Sequence, residues 1–177
     1  MNMKKLSAAV VVMLGLGVSA AQADDGSLNF SGVVTSSSCS VAANSTVIPV
    51  TFDSFAAASI DSVAVGSTNA SLQKPFSITL AGCPEGVSVA KIKLDGTTSG
   101  LVPNAFVGNS TARYVGIMIS DADTGAVIRP KAFGNDKAIV AGENTLNYLV
   151  GLTKTSAESA AVEGTIDVPV TFTMSYE

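Results

Sequence analysis

The stretch "GTIDVPVTFTMSYE" (Gly164–Glu177) carries apolar side chains at every second position: Ile166, Val168, Val170, Phe172, Met174 and Tyr176. Successive side chains of a strand point to opposite faces, so this run predicts a long strand with one apolar face. Such a face must be covered by a second layer. Shorter runs of the same kind recur upstream. "FSITLAGC" sets Phe76, Ile78 and Leu80 against Ser77, Thr79 and Ala81. "VSVAKIKLDG" puts Val87, Val89, Lys91 and Lys93 on one face, with Ala90, Ile92 and Leu94 on the other. "NTLNYLVGLTK" alternates Leu146, Tyr148, Val150 and Leu152. "RYVGIMISDADTGAVI" (Arg113–Ile128) reads as two strands around a DADTG turn. "TVIPVTF" (Thr46–Phe52) reads as a further strand, with Pro49 marking an edge or a bulge. The one helix candidate is a short turn in Ser54–Ile60, and Thr153–Gly164 reads as a polar loop. Short strands between frequent turn signals predict an all-β sandwich.

The first 23 residues read as a secretory signal peptide. Lys4 and Lys5 open it, Leu6–Val18 is a short apolar run, and Ala21-Gln22-Ala23 is a cleavage site of the A-x-A kind. Removing them leaves eight cations against fourteen acids, a net charge of −6. So acidic a chain gives no support to nucleic-acid binding and carries no basic patch for anionic membranes. No later segment reaches the 18 apolar residues of a membrane-spanning helix. An exported chain meets an oxidising compartment, where Cys39 and Cys83 are expected to pair across 43 intervening residues. Closing that loop stabilises the fold by about 4 kcal/mol on the chain-entropy account. Two thiols without histidine make a poor zinc site, and no cofactor is expected.

Chemistry for catalysis is sparse. With no histidine in the chain, triads lose their commonest base. Ser71-Leu72-Gln73-Lys74 fits S-x-x-K, but the S-D-N and K-T-G motifs that accompany it in penicillin-binding enzymes are missing. Asp121-Ala122-Asp123-Thr124-Gly125 has the look of a calcium loop, yet Gly125 stands at the fifth ligand position and Ala132 at the twelfth, so a hairpin turn is the better reading. The triplets at Asn44, Asn69 and Asn109 match the glycosylation acceptor pattern and read as surface polar segments.

The stretch "GSLNFSGVVTSSSC" (Gly26–Cys39) also alternates, with Gly26, Leu28, Phe30, Gly32 and Val34 on one face. Two of these five are glycines, which weaken an ordinary strand. Taken alone, the stretch could open a sheet of its own domain.

Four blocks together resemble the pilin subunits of chaperone–usher fimbriae, the type 1 fimbrial protein family of Gram-negative bacteria. They are F-x-G-x-V before the first cysteine (Phe30, Gly32, Val34, Cys39), F-x-I-x-L-x-x-C (Phe76, Ile78, Leu80, Cys83), V-G-I-x-I-x-D with a following T-G (Val115–Asp121, Thr124-Gly125), and the ending T-F-x-M-x-Y. The resemblance implies an incomplete immunoglobulin-like sandwich lacking its last strand, with a groove open to the core. A periplasmic chaperone would lend a strand to that groove. The N-terminal extension of a neighbouring subunit would replace it, by strand addition to an exposed edge.

On this reading residues 1–23 are the signal peptide, 24–35 the donor-strand extension and 36–177 the pilin domain. Gly26 is the implied notch, and burying Leu28, Phe30 and Val34 in a neighbour would supply about 5–8 kcal/mol at most. Val170, Phe172, Met174, Tyr176 and Glu177 are the implied chaperone-facing groove edge. The expected partners are a pilus chaperone, an outer-membrane usher and neighbouring pilins, and any host glycan is met only indirectly. The expected destination, through the periplasm, is a cell-surface fimbrium. The implied role is a structural, non-enzymatic subunit polymerising by donor-strand exchange. The alternatives are a minor tip, adaptor or base subunit, or a directly glycan-binding adhesin.

Overall fold

The computed structural model describes residues 38–177, and these form two antiparallel sheets. The first has the order β1 (Ser40–Val41), β2 (Gln73–Cys83), β6 (Gly142–Lys154), β4 (Val115–Asp121). The second has the order β5 (Lys137–Ala138), β3 (Val89–Gly96), β7 (Val170–Tyr176). One short helix, α1 (Ala57–Asp61), lies between β1 and β2 in the chain. Among the described residues no helix is long and apolar enough to cross a membrane.

The register follows from the alternation. Phe76 lies opposite Tyr148 and Ile78 opposite Leu146, while Ile117 faces Leu152 and Ile119 faces Val150. In the second sheet Ile92 lies opposite Met174 and Leu94 opposite Phe172. The inward rows of both sheets meet in one apolar cluster around the fully buried Ile78, Leu80, Tyr148 and Leu152. The result is an all-β, immunoglobulin-like sandwich. A disulfide joins Cys39, just ahead of β1, to Cys83 at the end of β2.

Three expected strands are shorter than their sequence patterns. After β4 the DADTG turn forms, but the returning arm makes only local pairings, Ser120 opposite Val127 and the Ile128 N–H donating to the Ile119 oxygen at 2.9 Å. The chain then crosses to the other sheet, where the Lys131 and Gly134 N–H groups donate to the oxygens of Leu94 and Ile92, both at 2.7 Å. Of the long alternating run at the other end, only Val170–Tyr176 joins a ladder. Thr46–Phe52 pairs with no strand among the described residues, and it opens on a bend, with Thr46 in the helical region at φ −75° and ψ −29°.

One buried ion cluster ties the sheets together. The Lys137 ammonium on β5 meets Asp121 of β4 at 2.8 Å and Asp123 at 2.6 Å. The other Asp121 oxygen accepts from the N–H groups of Asp123 and Thr124, at 2.8 and 3.0 Å, and so folds the turn. Burial alone would raise the Asp121 carboxyl, but Lys137 and the two amides outweigh it and hold it below the usual carboxylate range. Burial would likewise lower the Lys137 ammonium, and the two carboxylates outweigh that and raise it. Burial, with Asp121 and Asp123 adding to it, raises the neighbouring Tyr148 phenol.

Candidate functional site: an open groove between two sheet edges

Thr46 to Phe55 is spelled with alternation, and the structure half-buries Ile48, Val50 and Phe52 while Val47, Pro49 and Thr51 face solvent. Its ends are fastened: the Ser45 hydroxyl accepts from the Thr79 N–H at 2.9 Å, and Asp53 pairs with Lys74. Pro49 has no N–H to offer a ladder. Behind the segment, a cleft of about 440 Å³ separates it from β2.

The opposing wall is the run from Val162 to Phe172. On its outer side it is tied to residues 110–113. The Asp167 N–H donates to the Ser110 hydroxyl at 3.0 Å, the Thr165 N–H to Thr111 Oγ1 at 2.7 Å and the Val162 N–H to the Arg113 oxygen at 2.9 Å. Glycine makes this contact possible: a Cβ on Gly108 would lie 2.1 Å from the Asp167 oxygen. On its inner side Ile166, Val168, Val170, Phe172, Met174 and Tyr176 are all only half-buried, although each packs on the core. β7 is the last strand of its sheet among the described residues, so its second edge is open.

Between the two walls lies a cleft of about 1260 Å³ whose floor reaches the core at Ile78, Ile92, Ile117, Val150 and Leu152. Chemically it offers apolar pockets at alternate positions along an edge of open main-chain groups. That is what an extended, alternating strand would complete. An open edge beside bare core is otherwise an aggregation hazard.

Val170 and Phe172 line the cleft, and Met174 and Tyr176 extend the same row beyond it. Burial raises the Tyr176 phenol. The main-chain oxygen of Glu177 accepts from the N–H groups of Ser88 and Val89, at 2.8 and 2.9 Å, and its side chain meets Lys91 at 2.9 Å. The Glu177 carboxylate raises the Lys91 ammonium, burial opposes this, and Asp136 adds to the rise. Gly26, Leu28, Phe30, Gly32 and Val34 lie outside the described residues. The first wall was not assigned from sequence; its signal was the alternation of Ile48, Val50 and Phe52 around a proline. Of the motifs set aside, the Ser71 hydroxyl donates to Asn69 at 2.7 Å and Lys74 is held by Asp53, so neither activates the other. The supposed calcium loop already holds the Lys137 ammonium.

A family model described as "Fimbrial protein" matches residues 28–177. The chain belongs to the fimbrial protein family. Its members are structural subunits, not enzymes, and so is this chain. It is similar to the uncharacterized fimbrial-like protein SfmA of Escherichia coli, 28% identical over the full length of both chains. In fold it is similar to the P pilus rod subunit PapA, with a TM-score of 0.65 and 20% identity over 78% of this chain and 99% of that one. It is also similar to a Burkholderia pseudomallei antigen and type I fimbria protein, with a TM-score of 0.58 and 28% identity over 78% of this chain and 88% of that one.

Proposed function

We propose that the chain is a structural subunit of an adhesive surface fimbria that polymerises by donor-strand exchange. The observation that carries this reading is the cleft itself: two extended apolar edges, both short of a partner among the described residues, over a floor that is the domain core. The occupant would be residues 24–35 of a neighbouring subunit, with Leu28, Phe30 and Val34 entering successive pockets and Gly26 fitting where the groove is shallow. Before assembly a periplasmic chaperone would supply the strand, recognising the β7 edge from Val170 to Glu177, and an outer-membrane usher would pass the subunit to the surface.

Deleting residues 24–31 tests the assignment. The shortened chain should still bind a synthetic peptide of residues 24–35 and should form no fibres; fibres from the shortened chain alone would overturn it. A second reading, a minor tip, adaptor or base subunit, is favoured by Asp24, which shares the inward parity of Gly26 and Leu28. A buried carboxylate there fills a pocket poorly. Purified subunits that grow only with another subunit's extension would select this second reading.

A further inference from the structure

The wall from Thr46 to Phe55 has two sides, and only one of them faces the groove. On the other side lies β2, whose outer edge carries little pairing among the described residues. β1 covers Leu80 and Ala81 alone. The Thr79 oxygen accepts from the Ala42 N–H at 2.9 Å, and the Thr79 N–H donates to the Ser45 hydroxyl at 2.9 Å. The main-chain groups of Thr79 therefore point to this edge. Such groups alternate in direction along a strand, so those of Ser77 and Pro75 point the same way. They open into the cleft of about 440 Å³ between β2 and the wall.

A bare strand edge is a template for pairing. The wall is well placed to use it. Ser45 fastens one end of the wall to Thr79, and Asp53 fastens the other to Lys74. Yet the middle of the wall stands off. Counted antiparallel from Ser45 beside Thr79, Val47 falls opposite Ser77 and Pro49 opposite Pro75. At such a place two residues of a ladder exchange a pair of N–H···O bonds. Neither proline has an N–H, so pairing would set two carbonyl oxygens against each other with no donor between them. Both prolines are exposed, and both line the cleft.

We propose that Pro49 and Pro75 are positioning residues that hold the wall away from β2 and so keep its other edge within reach of an incoming strand. This rests on the groove as the donor-strand site and adds what decides on which side the wall pairs. A single inserted strand bonds two edges only when they stand about 10 Å apart, twice the strand spacing. Zipping onto β2 would draw the wall away from β7 and out of that reach. Ile48, Val50 and Phe52 alternate with Val47, Pro49 and Thr51, so their main-chain groups are the ones left to the groove.

The test replaces both prolines with valine, a strand former that restores the two N–H groups. In the full chain carrying Pro49→Val and Pro75→Val, the urea midpoint of the free subunit should rise and amide exchange at Ser77 should slow. Binding of the residue 24–35 peptide should weaken about tenfold, the result when the zipped form holds about nine-tenths of the population. Each single variant should show the same signs to a smaller degree. Stability and affinity moving in opposite directions is a result that a purely structural role for the prolines would not give. Unchanged peptide affinity, or stability and affinity falling together, overturns the proposal. So does a double variant that loses its strand signal in circular dichroism, because the prolines would then support the fold itself. If the wild-type chain binds no peptide, the groove reading has failed. The hold of the prolines on the wall is then still read from Ser77 exchange: slowing in the double variant upholds it, and no change overturns it.

Discussion

β6 and the Ile166–Tyr176 run are spelled alike, each an apolar residue at every second place, and the fold treats them in opposite ways. Along β6, Leu146, Tyr148, Val150 and Leu152 are 0–4% exposed. Along the other, six apolar side chains in a row stay half-covered. β6 has a strand on each side and a sheet above it. β7 has β3 on one side and, on the other, the cleft. Alternation states that a face needs covering; it does not state which molecule covers it.

The contrast is broken most directly by truncation on each side of it. Leu152→Ala removes a wholly buried side chain and should cost about 2–5 kcal/mol of unfolding free energy. Phe172→Ala, on a half-covered side chain, should cost less than half as much in urea denaturation of the free subunit. It should instead weaken binding of the residue 24–35 peptide about tenfold or more, read by fluorescence titration. Equal costs at both sites in the free subunit would erase the distinction. Next in size is Gly108→Ala, which forces the Asp167 backbone away and should destabilise the domain by about 1–3 kcal/mol. It should also weaken peptide binding, because the Val162–Phe172 wall rests on that contact.

The Lys137 cluster should matter only within a pH window. Asp121 has its pKa depressed in the folded state, so its contribution is present above the unfolded value of about 3.9 and is lost as pH falls through the folded one. Lys137 is raised, so its contribution is present below the unfolded value of about 10.4 and is lost as pH rises through the folded one. Lys137→Met should lower the melting temperature between those limits and flatten the acid limb, measured by circular dichroism from pH 2 to 8. Smallest of all, Lys74→Ala cuts an exposed ion pair at the foot of the first wall and should leave the unfolding midpoint unchanged within error.

Most of the sandwich was legible because its strands are amphipathic and their registers are fixed by which face is buried. Phe76–Cys83, Asn144–Lys154 and the opposite faces of Lys91 and Ile92 were read directly from spacing, and the Ser54–Ile60 turn overlaps α1. Thr46–Phe52 misled for a physical reason. A strand pattern was present, but pairing needs a neighbour, and the neighbour is missing from the described residues. The second arm of the 113–128 hairpin misled for another: Pro130 and the crossover to β3 divert its main-chain groups to a different sheet. The candidate site was half legible. β7 was assigned as a groove edge, whereas the opposite wall depended on tertiary placement that no local pattern records. The Asp121–Lys137 cluster joins residues sixteen apart in sequence and had no local signal at all.

The disulfide has a mechanical consequence. A pull on the chain ahead of Cys39 crosses directly to Cys83, because the covalent bridge is far stiffer than the 43-residue loop it spans. Ser40 to Leu72, with the Thr46–Phe55 wall inside it, hangs outside the load path. Tension then enters the end of β2, which is held to β6 through a long antiparallel ladder. With the bridge reduced, the same pull would peel β1 from β2 and draw the wall out lengthwise, opening the socket from within.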